Sequence, residues 1–147
     1  KEMLNEKTAA VLINTPNNPS GVVYSAATLQ KLADLLYAKQ DEYGHDIFLI
    51  SDEPYREIVF AGVEAPYVSK FYDNTLSCYS YSKSLSLPGE RIGYVYVPQK
   101  ATDGKALYSA VAKSNILSPP SPHGRLEWIF QRREGVAAMF QRGGGHS

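Results

Sequence analysis

The sequence predicts an α/β fold, a mixed and mostly parallel sheet flanked by helices. Three observations carry that expectation. Two short, continuous apolar runs, Thr8–Ile13 and Ile47–Ile50, each end in a polar, turn-rich segment, the pattern of strands buried in a parallel sheet. Between them apolar residues recur at helical spacing, so strand, helix and strand succeed one another as in a βαβ unit. Two further strand-like runs, Thr75–Tyr79 and Ile92–Val97, lie close enough in sequence to be antiparallel neighbours.

Each element has a local reason. The run Thr8–Ile13 enters Asn14-Thr-Pro-Asn-Asn-Pro-Ser-Gly21, a loop dense in residues that favour turns. Ser25 is placed to cap the helix that follows, Leu29, Leu32, Ala33 and Leu36 fall on one face of it, and Gly44 stops it. The second strand ends at Ser51-Asp-Glu-Pro-Tyr55. A loop from Ser80 to Arg91 joins the last two strands, and its Pro88-Gly89 pair predicts a tight turn. Asp103–Lys113 reads as a further helix.

Composition narrows the function classes. With 147 residues, 44% of them hydrophobic and 20% charged, the chain is of the soluble globular type. Its 15 basic and 15 acidic side chains cancel, so no overall charge favours nucleic acid or an acidic membrane surface as a partner. The single cysteine, Cys78, excludes an internal disulfide, and no apolar run reaches the length of a bilayer span. A cytoplasmic, reducing setting is expected. The chain opens on Lys1 and soon enters an apolar stretch, which reads as a start inside a domain. Residues 1–117 carry all 11 tyrosines, whereas residues 118–147 carry none, hold no lysine, and are rich in Pro, Arg and Gly. Residues 1–117 are therefore expected to be part of a ligand-binding domain. Residues 118–147 read as an atypical tail, a linker or a segment not native to the domain, with one short helix around Leu126–Arg133.

Three polar clusters sit at or just after strand carboxyl ends: Asn17-Asn18, Asp52 to Tyr55, and Ser80 to Lys83. Ligands of open α/β sheets bind beyond those ends. Asp52 directly follows a buried strand, where an unpaired carboxylate is costly, so it should face a cation or a strong donor. Tyr55 offers a phenol hydroxyl and Asn18 an amide. Lys83 lies among small hydroxyl residues that let a ligand approach closely, and Arg91 offers a bidentate grip on phosphate. No metal-ligating cluster stands out, and His123 and His146 lie in the tail.

Taken in order, Asn14-Thr-Pro-Asn-Asn-Pro-Ser-Gly21, Asp52-Glu-Pro-Tyr55 and the loop from Ser80 to Gly93 resemble the motifs of the class I/II aminotransferases. These are fold-type-I pyridoxal-phosphate enzymes related to aspartate, alanine and aromatic aminotransferases. The resemblance covers about residues 8–97 and implies that the sheet is part of the large cofactor-binding domain. By it, Lys83 matches the lysine that forms a Schiff base with the aldehyde of pyridoxal 5'-phosphate. Asp52 matches the aspartate that pairs with the pyridinium nitrogen. Asn18 and Tyr55 match residues that bond the phenolic oxygen, and Ser80 and Arg91 match phosphate ligands with Ser82 close by. In some relatives the bond matching Asn18–Pro19 is cis.

The resemblance implies transamination between an amino acid and a 2-oxo acid, with Lys83 as the base that moves a proton from the substrate Cα to the cofactor. It also implies a homodimer, with neither nucleic acid nor membrane as partner. A phosphate-binding turn, a stacking ring and a substrate-carboxylate arginine are family features without a match in these residues, so the chain alone is expected to be inactive or nearly so. Carbon–sulfur lyases and related synthases share the cofactor residues, and so do aminotransferase-like sensing domains of transcriptional regulators.

Overall fold

A computed structural model of the chain describes residues 3–89, 92–117, 124–125, 128–129 and 135–142. Three parallel strands, β1 (Ala10–Asn14), β2 (Phe48–Asp52) and β3 (Thr75–Ser80), lie side by side in that order. Next to β3, β4 (Ile92–Pro98) runs antiparallel. The sheet continues through β7 (Gly135–Arg142), antiparallel to β4, with β5 (Gly124–Arg125) and β6 (Trp128–Ile129) pairing its other edge. The mixed, mostly parallel sheet is thus formed in the part that carries the polar clusters.

Helix α1 (Ala26–Tyr43) joins β1 to β2 and forms for local reasons. Ser25 is its N-cap, its hydroxyl accepting from the Thr28 N–H at 3.2 Å. Gly44 takes the left-handed conformation (φ 70°) that closes the helix, its N–H donating to the Gln40 carbonyl at 2.8 Å. Leu29, Ala33 and Leu36 are buried on one face, with Leu32 packed beside them. That face meets Ile47 and Leu49 of the sheet and Val68 and Tyr72 of the connection to β3, and these seven residues are the core.

At the amino ends of β2 and β3 a polar clamp holds the strands level. Gln40 Oε1 accepts from the Ile47 N–H at 2.9 Å and from Asn74 Nδ2 at 3.1 Å, and the Tyr72 hydroxyl lies 2.6 Å from it. Asn74 Nδ2 also donates to Asp46 Oδ1 at 3.0 Å, and the Thr102 N–H donates to Asn74 Oδ1 at 2.7 Å. Helix α3 (Gly104–Leu117), at the place expected for residues 103–113, packs on β4 and β7.

Three expectations are corrected. The run through β1 was expected to be buried, yet Leu12 is 69% exposed. Strand side chains alternate between faces, and α1 covers the face of Val11 and Ile13, while β1 is the edge strand of this sheet. Lys83 belongs to a single helical turn, α2 (Tyr81–Ser84), where an irregular loop was expected. The Ser80 hydroxyl caps that turn by accepting from the Ser82 N–H at 3.2 Å. Trp128–Ile129 pairs with β7 where a short helix over Leu126–Arg133 was expected. Bulky aromatic and β-branched side chains suit strands, and the edge of β7 offers unpaired backbone groups. The remaining residues of that stretch lie outside the described residues, as does Arg91.

Because Leu36 is fully enclosed, Leu36→Ala should destabilise the full-length protein by about 2–5 kcal/mol. Leu85→Ala, at a side chain 59% exposed, should stay within about 0.5 kcal/mol. Urea unfolding midpoints check both, and equal midpoints would contradict this account of the core.

Candidate functional site

The parallel register sets Asn14 beside Asp52 and Asp52 beside Cys78. Since side chains alternate, these three share the face opposite the α1 core, with Ser80 two residues further along β3. Loops leaving β1, β2 and β3 therefore emerge at one end of the sheet and over one face. Asn18, Tyr55 and Lys83 come from those three loops.

Their side chains meet there. Asn18 Nδ2 donates to the Tyr55 hydroxyl oxygen at 3.1 Å. The Lys83 Nζ lies 5.8 Å from the centre of the Tyr55 ring, within reach of a cation–π contact. Ser80 and Ser82 are joined hydroxyl to hydroxyl at 2.8 Å. Both the Thr15–Pro16 and Asn18–Pro19 bonds are cis. A cavity of about 290 Å³ opens beside Asn18 and Tyr55, with Pro16, Ile58 and Phe60 among its walls. Asp52 and Lys83 do not line it.

Two buried anchors fix the loops. Glu53, 2% exposed, pairs with Arg56 and accepts from the Ser77 hydroxyl at 3.3 Å. Arg56 also donates to the Ala65 carbonyl at 2.6 Å and lies over the Tyr67 ring at 3.8 Å. That guanidinium is sunk deeply enough for burial to lower its pKa. The turn carrying Tyr55 is thereby pinned from both sides. The Tyr79 hydroxyl lies 2.6 Å from both Glu57 Oε2 and Ser84 Oγ, which ties the Lys83 turn to the segment after β2. At Gly93, opposite Ser80 on β4, a side chain would run into the Tyr79 carbonyl, so only glycine lets β4 approach here.

Asp52 is half-buried, and burial raises its pKa against the opposing effect of the Asn14 hydrogen bond. No salt bridge among the described residues involves it. The neighbouring Cys78 thiol is likewise pushed up, first by burial and then by the Asp52 charge. Asn14 was quoted in the first motif but not singled out as a site residue. Its signal was its place as the polar residue ending one strand level with the polar residue ending the next. Among the described residues no group of three or more His, Cys, Asp or Glu is placed to hold a metal.

The family model for aminotransferases of class I and II matches residues 1–124. The chain belongs to that family. A probable aspartate/prephenate aminotransferase of Aquifex aeolicus is 35% identical over 120 residues, a match covering 79% of this chain and 29% of the relative. The aspartate aminotransferase of Bacillus subtilis is 35% identical over 98 residues, covering 64% and 23%. Among solved structures, an amino transferase of Eubacterium rectale is 60% identical, with a TM-score of 0.76 over 78% of this chain and 29% of that one. The chain thus spans less than a third of the length of each. The expected fold, part of the large domain of such an enzyme, agrees with this, and pyridoxal 5'-phosphate is the cofactor the family uses.

The sign of the Asp52 shift makes a stability prediction. A carboxyl whose folded pKa lies above its unfolded value binds protons more readily when folded, so its contribution falls as pH rises from about 3.9 through the raised value. In cofactor-free full-length protein, Asp52→Asn should therefore be at least as stable as the unsubstituted protein at pH 7, the difference shrinking towards pH 4. A less stable Asp52→Asn protein at pH 7 would contradict the burial cost.

Proposed function

We propose that the full-length protein is a pyridoxal-phosphate-dependent aminotransferase that exchanges an amino group between an amino acid and a 2-oxo acid. The observation that carries the reading is the convergence of Asn18, Tyr55, Asp52 and Lys83 from three adjacent strand ends in a chain of this family.

The donor set fits the cofactor chemically. Asp52, half-buried and without a described salt bridge, suits a protonated ring nitrogen, whose arrival would reverse the rise in its pKa. The Asn18 amide and Tyr55 hydroxyl, already bonded to each other, suit a phenolic oxygen. Ser80 and Ser82 offer hydroxyls to a phosphate, and Arg91, outside the described residues, is proposed as its bidentate partner. Lys83 supplies the primary amine for the aldehyde. When bound, the cofactor supplies an electron sink for the carbanion at the substrate Cα.

The work of the chain is to hold and to move protons. Asp52 keeps the ring nitrogen protonated, while Asn18 and Tyr55 orient the ring by its oxygen. Lys83, displaced by the substrate amine, takes the proton from the substrate Cα and returns it as a general base and acid. The Tyr79–Ser84 contact and the Ser80 cap orient the turn on which that amine is carried. Substrate classes, a homodimer and a cytoplasmic setting belong to the same reading. No helix among the described residues is long and apolar enough to cross a membrane. These 147 residues alone, covering less than a third of their relatives, are proposed to be inactive without the rest of such an enzyme.

Borohydride reduction of the full-length protein with pyridoxal phosphate, followed by peptide mapping, should give the adduct at Lys83. Lys83→Ala should lower transamination by at least about 10²–10⁴-fold. An adduct at another lysine would sink the assignment, and release of ammonia in place of a new amino acid would move the protein to the lyases.

A further inference from the structure

One side chain in the site uses its whole hydrogen-bonding capacity. An asparagine amide has two N–H donors and two carbonyl lone pairs. Asn14 Nδ2 donates to the Asp52 carbonyl at 3.0 Å and to Asp52 Oδ2 at 3.1 Å. Asn14 Oδ1 accepts from the Asn18 N–H at 2.9 Å and from Asn17 Nδ2 at 3.1 Å. The amide orientation is fixed by this set, because the reverse would point an acceptor at a carboxylate and donors at donors. The partners on one side belong to the end of β2, and those on the other to the loop after β1.

We propose that Asn14 is a positioning residue that joins the two ends of the cofactor grip, orienting the Asp52 carboxylate and the Asn18 loop as one unit. This rests on the aminotransferase reading above. The residue type follows from geometry. Aspartate lacks the donors and sets a second negative charge beside Asp52. Serine cannot span both partners, and glutamine, longer by one methylene, displaces the amide from the register position that β1 gives it. With the amide gone, Asp52 keeps its charge but loses the side-chain bond that aims Oδ2, and the backbone of Asn18 loses its tether. Asn18 Nδ2 then meets the Tyr55 hydroxyl less often. Both groups proposed to contact the cofactor ring thus depend on one amide that is not itself proposed to touch the ring.

The experiment is a set of cofactor dissociation constants on the full-length protein, measured by reconstituting cofactor-free protein with pyridoxal phosphate and following absorbance. Asn14→Ala should weaken binding about tenfold, or ~1.4 kcal/mol. In an Asp52→Asn or an Asn18→Ala background the same substitution should cost less than threefold, because the group it orients is already altered. Asn14→Ser, a milder change, should act in the same direction, so that a misfolded alanine variant does not end the test. Binding by the Asn14 variants within twofold of the unsubstituted protein, or losses that multiply fully in the double variants, would overturn the proposal. Borohydride mapping of the same proteins separates the two readings. If Lys83 is labelled and the Asn14 variants bind normally, only the positioning role fails; if the unsubstituted protein is not labelled at Lys83, both fail.

Discussion

The site depends on the parallel register of three strands. Asn14, Asp52 and Cys78 stand abreast because β1, β2 and β3 end level with one another. Strand side chains alternate, so a slip of one residue in β2 would turn Asp52 towards α1 and Ser51 towards the site. The register is held at the far end by the Gln40, Asn74 and Asp46 clamp and on the core face by Leu29, Ala33 and Leu36 of α1. A polar knot 20 or so Å from the strand carboxyl ends thus shares in the placement of the chemistry.

Adjacent carboxylates are treated differently. Glu53 is buried but satisfied by Arg56 and Ser77 and serves to pin a loop. Asp52, one residue earlier and on the other face, has an amide partner and a raised pKa with no described salt bridge. A buried ion pair completed within the fold has no free charge to offer a ligand, whereas a half-buried carboxylate held only by an amide does. The alternation of the strand separates a structural acid from a functional one across a single peptide bond.

Much of this was legible in the residues. The helix could be placed because Ser25 and Gly44 mark its ends chemically and Leu29, Ala33 and Leu36 mark its face. The polar clusters after Asn14, Asp52 and Ser80 were visible because they interrupt apolar runs abruptly. The α2 turn was not, since four residues give no period to read and its cap acts through the backbone. The exposure of Leu12 was hidden for another reason: an apolar strand reads alike whether one face or both are covered. Trp128–Ile129 escaped because the pairing that makes it a strand comes from β7, several residues further on.

By itself the sequence determined the strand and helix order, the family motifs and the chemical types gathered at the strand ends, because periodicity, caps and turn residues are local properties. Only the tertiary structure decided that Asn14 bridges Asp52 and Asn18, that Glu53 is consumed by Arg56, and that Lys83 lies near Tyr55. Those relations join residues up to 38 positions apart. They exist only once parallel pairing has brought the strand ends together, and no local signal encodes which partner an amide or a carboxylate will meet.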